Sequence, residues 1–221
     1  MKFTFGIITG GRVEDKVINS ILDLKIPEFE IIIVGGDKPT KYSLIRHIPF
    51  DENKKKAWIT KKKNLIVKNA IYENIVFMHD YVILDQNWYK GFKKFGNNFD
   101  VCMTQIKNLD GSRFRDWCSW DDPNLNYPNG GIPKGSGSNH VIVLPSYSYD
   151  KKEHMYISGT YWVAKKSLMK QEPLNESLVW GESEDVEWSK RILPKFNYKM
   201  NTYSTVHLLK DKKLSAIYVD T

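Results

Sequence analysis

Hydrophobic positions along the chain follow two rhythms. Residues 3–9, 29–34 and 74–78 are short, nearly continuous apolar runs, and turn formers such as Gly35-Gly36-Asp37-Lys38-Pro39 bound them. Runs of that length and setting read as strands buried on both faces. Residues 12–24 instead place Val13, Val17, Ile18, Ile21 and Leu22 on one helical stripe, which Pro27 closes off. A second helix is expected from Thr60, a good N-cap type, through Leu65, Ile66, Ala70 and Ile71. A third carries Trp88, Phe92 and Phe95, with a weak strand at 44–50 before it and another strand at 100–106 after it. Regularity returns at 156–164, followed by a short helix at 165–170, a helix over 184–193 stopped by Pro194, and a strand at 198–207. Strands alternating with helices call for right-handed crossovers and a mostly parallel central sheet flanked by helices. The expected class is α/β.

Residues 108–150 break this pattern with Gly, Pro, Ser, Asn and aromatic residues in no sustained period. A loop that long inside a compact domain is usually functional or partly disordered. Its words Arg113-Phe114-Arg115-Asp116-Trp117 and Trp120-Asp121-Asp122 offer rings and charged forks. They read either as a sugar-binding surface or lid, since sugar C–H faces stack on rings, or as an aromatic satellite core under the loop. No repeat, low-complexity tract or linker divides the chain, so residues 1–221 are expected to form a single domain.

Composition narrows the possibilities. The 221 residues are 41% apolar, with 33 Lys plus Arg against 26 Asp plus Glu. That is enough to bury a sizeable core without a disulfide or metal staple. A net charge of +7 admits an anionic partner without choosing among nucleotide, nucleic acid and lipid headgroup. The lysine runs at 54–56 and 151–152 read as solvated faces, and no helix-turn-helix or RNA-binding motif supports a nucleic-acid partner. Cys102 and Cys118 cannot make a zinc site alone and are expected to be free thiols. No apolar run approaches the roughly 20 residues of a transmembrane helix, and the N-terminus lacks a secretory core. A cytoplasmic protein is the expectation.

In open parallel sheets ligands bind beyond the carboxyl ends of the strands. The words at those ends here are Thr9-Gly10-Gly11-Arg12, Gly35-Gly36-Asp37 and His79-Asp80-Tyr81, although turns favour Gly and Asp for backbone reasons alone. Neither a P-loop nor a GxGxxG fingerprint is present, so a nucleotide diphosphate would have to be held otherwise. A divalent cation bound by carboxylate and imidazole would offset the phosphate charge. Asp80 is the best carboxylate for it and His207 the best imidazole. Residues 180–185 carry three carboxylates at a helix start, and these read equally as site groups or as a helix start capped by Ser183 with acids favourable to its dipole.

In order along the chain these words resemble the nucleotide-sugar glycosyltransferases of the GT-A fold, specifically those similar to glycosyltransferase family 2. The resemblance covers residues 3–207 apart from 108–150. Phe5-Gly6-Ile7-Ile8-Thr9, Ser20-Ile21-Leu22 and residues 29–34 resemble the family's opening strand, helix and strand. Thr60-Lys61-Lys62-Lys63-Asn64-Leu65 resembles its basic, Asn-containing helix start, and residues 74–80 with Trp88 resemble the strand that delivers the DxD motif. Ile157-Ser158-Gly159-Thr160-Tyr161-Trp162-Val163 is similar to the glycine loop at the donor sugar. Residues 180–185 are similar to the xED motif, and His207 to the C-terminal histidine of the metal site.

The resemblance implies a Rossmann-like GT-A domain whose residues 1–106 bind the donor nucleotide and whose residues 107–221 hold acceptor and catalytic groups. It implies inverting sugar transfer from a nucleotide-diphosphate donor to an acceptor hydroxyl of unknown identity, with Asp185 as general base and Glu184 on a sugar. Thr9, Gly10, Arg12, Gly36, Asp37, Lys61, Asn64, His79 and Asp80 would contact the nucleotide. Ser158, Gly159, Thr160, Trp180, Glu182, Arg113 and Trp117 would contact donor sugar or acceptor, and Asp80 with His207 would hold Mn2+ or Mg2+. Two positions depart from the pattern: the DxD word reads His79-Asp80-Tyr81 and keeps one carboxylate, and the nucleotide loop reads Gly35-Gly36-Asp37 where adjacent acids are common. The incomplete DxD motivates a second reading, a nucleotide-sugar or glycan-binding module without catalysis.

Overall fold

The first apolar run forms β1 (Phe3–Ile8), with every residue buried, and the stripe after it forms α1 (Asp15–Leu22), which buries Val17, Ile18 and Ile21. β2 (Phe29–Val34), β3 (Ile45–Ile48), α2 (Ile59–Asn69), β4 (Asn74–His79), β5 (Val82–Leu84), α3 (Trp88–Phe95) and β6 (Val101–Lys107) follow. The later elements are β7 (Cys118–Ser119), β8 (Ile142–Pro145), β9 (Met155–Tyr156), β10 (Tyr161–Lys165), α4 (Lys166–Gln171), α5 (Glu184–Ile192), β11 (Tyr198–Leu208) and β12 (Ala216–Val219). This computed structural model describes residues 1–120, 122, 123, 125, 142–212 and 216–219. Asp121, Asn124 and residues 126–141 of the aperiodic stretch lie outside the described residues.

The main sheet has eight strands in the order β3-β2-β1-β4-β10-β6-β11-β5. β1 to β4 are mutually parallel, and β6 and β11 run the same way, but β10 is antiparallel to both its neighbours and β5 is antiparallel to β11. The sheet is therefore mostly parallel with two reversed strands. The reversal of β10 has a simple cause: the chain leaves β6 at its carboxyl end, folds there into β7, β8 and β9 of the small sheet β12-β8-β7-β9, and re-enters from the same side. Tyr161, the first residue of β10, accordingly pairs with Met78 near the carboxyl end of β4. Strands from both halves of the chain share one sheet.

Trp88, Trp162 and Trp188 are fully buried and tie the layers together. Trp162 stacks on Phe77 of β4 at 4.3 Å between ring centroids and meets Trp188 of α5 at 4.9 Å. Trp88 of α3 donates its indole N–H to the Tyr161 hydroxyl at 2.8 Å. Such rings supply large apolar area, and Trp188 likewise donates its indole N–H, to the Glu172 carbonyl at 2.8 Å. Both cysteines are buried and free, as the sequence leads one to expect.

Several local expectations change. α1 starts at Asp15 rather than near Arg12. Thr60 does not cap α2; it sits one residue inside the helix and donates its hydroxyl to the Leu178 carbonyl at 2.7 Å. Ser183 precedes α5 in a left-handed conformation, φ 57° and ψ 39°, and makes no side-chain cap. β5, only three residues long, has too short a pattern to stand out.

β11 shifts register between Asn201 and Thr205, and the bulged chain lies against α3. Ser204 Oγ there donates to the Trp88 carbonyl at 2.8 Å. Gly91 lets the two backbones meet, because a Cβ at that position would collide with the Tyr203 carbonyl and Ser204 Oγ. In an open helix Gly→Ala stabilises by about 1 kcal/mol. Here the collision dominates, and Gly91→Ala is expected to cost about 1–3 kcal/mol, read as a lower midpoint in denaturant unfolding; a stabilised variant would contradict this packing.

Candidate active site

The carboxyl ends of β1, β2 and β4 lie side by side, and the antiparallel β10 begins next to them. After β1, Thr9 donates its hydroxyl to Asp80 Oδ2 at 2.6 Å, which joins the first and third strand-end words. The second word joins them through backbone: Asp37 N–H donates to the Gly11 carbonyl at 3.1 Å. Gly36 has φ +58°, and a Cβ there would strike the Gly11 backbone, so the approach of the two loops requires glycine. Beside these loops opens a cavity of about 270 Å³ whose walls include Arg12, Asp37, Lys38 and Tyr42. Gly10 and Arg12 are exposed at its edge.

A second group assembles at the start of β10. His79 N–H donates to the Thr160 carbonyl at 3.2 Å, Ser158 and Thr160 are buried, and Gly159 N–H donates to Asp185 Oδ2 at 3.1 Å. A Cβ at Gly159 would lie 3.2 Å from both Asp185 Oδ2 and Glu184 Oε1, so the bare glycine admits the two carboxylates to the backbone. Both acids are buried, in the first turn of α5. Lys63, 2% exposed, donates to the Gly159 carbonyl at 2.9 Å, and its charge acts on both acids. Burial lowers the Lys63 ammonium below its usual range while Glu184 and Asp185 pull it back up. Burial first and Asp185 second raise the Glu184 carboxyl, with Lys63 opposing. Arg115 closes this group, donating from Nη2 to Asp185 Oδ2 at 3.0 Å.

Aromatic and cationic groups line the side towards β5. Lys212 donates its ammonium to the Tyr81 hydroxyl, and Lys210 Nζ lies 3.9 Å from the centre of the Tyr81 ring. Tyr81 in turn reaches Thr160 Oγ1 at 3.5 Å. Burial lowers the Lys212 ammonium to about 8, helped by the like charges of Lys210 and Arg115 and opposed by Asp80. Burial, Lys63, Lys212 and Lys210 hold the His79 imidazole well below its ordinary value.

Several expected residues stand elsewhere. His207 is paired with Asp85, Nε2 to Oδ2 at 3.2 Å, rather than with Asp80, because it lies opposite Ile83 in the β11–β5 ladder and the chain after β5 supplies that acid. Lys61 pairs with Glu176 at 2.7 Å, and Asn64 bonds to Leu174 and Glu176, so both hold the segment before α5. The helix instead turns Lys62 and Lys63 inward: Lys62 donates to the Thr9 carbonyl at 2.6 Å and pairs with Glu52. Trp117 is buried, donates its N–H to the Tyr149 carbonyl at 3.0 Å and packs on Tyr198, so it offers no face to a sugar. Arg113 is occupied by Asp116 and the carbonyls of Pro145 and Trp117. Trp180 is exposed, and Glu182 accepts from Val179 N–H at 2.9 Å. Sequence reasoning offered Lys63 and Arg115 only as members of longer words and missed Lys210 and Lys212; Lys63 carried a further signal, its place on the buried stripe of α2 with Ile59, Ile66 and Val67.

The side chains of the described residues do not by themselves make a divalent-cation site. Among the described residues no group of three or more His, Cys, Asp or Glu side chains could hold a metal ion. Asp80 is a single carboxylate, already accepting from Thr9, with Lys212 acting on it. A Mn2+ or Mg2+ site made by side chains alone needs several oxygen or nitrogen donors, and flanking ammonium groups oppose it.

No family model and no curated protein matches the sequence. The structure of S. aureus TarS 1–349 in complex with UDP-GlcNAc is similar at 16% identity and TM-score 0.60, over 96% of this chain and 60% of that one. The structure of GalNAc-T7 with UDP, GalNAc and Mn2+ is similar at 10% identity and TM-score 0.64, over 97% of this chain and 44% of that one. The chain thus spans 60% or less of the length of these two proteins. The likenesses establish the GT-A fold, a curled mixed sheet flanked by helices in a single domain. Among the described residues no helix is long and apolar enough to cross a membrane.

Lys63 is a fully buried cation whose charge acts on both acids. Lys63→Met is expected to cost about 2 kcal/mol or more, because it leaves the Gly159 carbonyl without its donor and removes one of the two cations, with Arg115, that act on the acid pair. The double variant K63M/E184Q should recover part of that loss in a denaturant-unfolding double-mutant cycle. Simple additivity of the two substitutions would show that Lys63 and Glu184 do not interact.

Proposed function

We infer that the protein is a glycosyltransferase that moves a sugar from a nucleoside-diphosphate donor to an acceptor hydroxyl. A GT-A fold hosts more than one activity, so the inference rests on the site. The observation that carries it is the buried pair Glu184 and Asp185, held at the Gly159 backbone where β10 meets the carboxyl ends of β1 and β4. The cavity walled by Arg12, Asp37 and Tyr42 suits the nucleoside, with an aromatic ring and polar groups together. UDP and UDP-sugars, the ligands of the similar structures, are the first donors to try.

Transfer develops positive charge on the sugar ring and negative charge on the departing diphosphate. The acceptor oxygen forms its bond to the anomeric carbon on the face opposite the leaving group, the bond from that carbon to the phosphate oxygen breaks with its electrons leaving on the diphosphate, and Asp185 takes the hydroxyl proton. Attack on the opposite face inverts the anomeric centre. Glu184, whose proton affinity is raised by burial and by Asp185, is placed to hydrogen-bond a sugar hydroxyl. Divalent-metal dependence, which the family resemblance implies, is not part of this reading, because the described side chains by themselves do not make a metal site.

One observation favours a second reading. Asp185 Oδ2 already accepts from both Arg115 and Gly159, an occupied arrangement that suits a binding module without catalysis. Donor turnover separates the two. An enzyme slowly releases nucleoside diphosphate from one of UDP-, GDP-, CDP- or dTDP-sugar even without acceptor, while a binding module only binds.

Asp185→Asn keeps the shape and removes the basicity. Turnover should fall about 100-fold or more, with donor affinity, read by calorimetry, changed little. Near-normal transfer by that variant would remove Asp185 from the role.

A further inference from the structure

The chain after β11 passes back over the site and is fixed there by backbone bonds. Leu209 N–H donates to the Tyr81 carbonyl at 2.8 Å and Lys212 N–H to Asn108 Oδ1 at 3.2 Å. The segment thereby carries two ammonium groups to the Tyr81 ring, Lys210 at 3.9 Å and Lys212 at 4.3 Å from its centre. Among the described residues neither makes an ion pair with a carboxylate, whereas Lys61, Lys62, Arg113 and Arg191 all do. Like charges held together on a partly buried ring oppose one another, and an anion between them relieves that cost. Tyr81 follows Asp80 directly, and the charges of Asp80 and Arg115 both act on Lys212, so the pair adjoins the strand-end loops and Asp185.

We propose that Lys210 and Lys212, with Arg115 beside them, neutralise the diphosphate of the nucleotide donor, taking the place that a divalent cation would fill. This deepens the glycosyltransferase reading and rests on it. The chemistry agrees: ammonium groups are point donors suited to phosphate oxygens, and an aromatic floor keeps their stems in place. The same groups would stabilise the charge that collects on the leaving diphosphate in the transition state. The carboxylate-poor word His79-Asp80-Tyr81 follows from this, since a site that uses lysines gains nothing from further acids.

The test is calorimetric binding of UDP, GDP, CDP and dTDP to the full chain, each in EDTA and again in manganese. At least one should bind in EDTA, with manganese tightening it by less than about threefold. The double substitution K210M/K212M should weaken that nucleotide by about 10-fold or more, the loss expected for charge-assisted bonds, while the matching nucleoside binds as before. K210R/K212R should stay within about threefold of the parent, because the charge is kept. A nucleotide that binds 10-fold or more tightly with manganese, or that binds a folded K210M/K212M as it binds the parent, would overturn the proposal and leave the glycosyltransferase reading standing. Failure of all four nucleotides under both conditions would instead remove that reading, and this proposal with it. Should K210M/K212M not fold, the manganese comparison on the parent still decides.

Discussion

The site depends on the reversed direction of β10. Were β10 parallel to β4, its first residues would lie at the opposite edge of the sheet. Running antiparallel, it presents Ser158, Gly159 and Thr160 at the carboxyl ends of β1 and β4, and the bond from His79 N–H to the Thr160 carbonyl fixes them there. The acids that the second half contributes are positioned from that edge. Glu184 and Asp185 reach the Gly159 backbone because nothing projects from it, and Lys63 of α2 reaches the same carbonyl from the first half. Trp162, between Phe77 and Trp188, supplies the packing that holds α5 to β10 and β10 to β4.

Electrostatics follows from that meeting. The buried acids share one buried cation, Lys63, and one guanidinium, Arg115, so negative charge is compensated on the side of α5. On the side of Tyr81 the balance reverses, with Lys210 and Lys212 crowding His79 and Asp80. A site with acids at one end and unpaired cations at the other is polarised in the sense that glycosyl transfer requires: proton affinity near the acceptor oxygen, positive charge near the leaving group. The ordinary carboxylate cluster of a metal site has no place in this arrangement.

Much of the fold was legible because its elements are long and strongly patterned. The α/β class, β1 with α1 and β2, the buried β4, α3 with Trp88 and Phe92, and the stop of α5 at Pro194 follow from runs and stripes. β5 and the small sheet β7 to β9 did not, since strands of two to four residues leave no period to count. Within the site, the words at the strand ends pointed to Thr9 and Asp80, and the family resemblance pointed to Gly159 and Asp185; the structure joins each pair by a hydrogen bond. The basic word in α2 was read one helical face away: Lys61 and Asn64 turn to Glu176, and Lys62 and Lys63 turn inward. His207, Trp117 and Arg113 illustrate the other limit. A residue type suited to metal or sugar is equally suited to an ion pair or a buried ring, and only tertiary contacts decide; here they give Asp85 to His207, Tyr198 to Trp117 and Asp116 to Arg113.

The central claim is that both halves of the chain form one donor site across the β4–β10 junction. A crystal structure of the protein soaked with UDP tests it most directly. The account predicts the nucleoside in the cavity bounded by Arg12, Asp37 and Tyr42, and the diphosphate directed to Tyr81 and Gly159. A nucleotide bound on another face, with the Thr9–Asp80 and Gly159–Asp185 contacts untouched by any ligand, would contradict it.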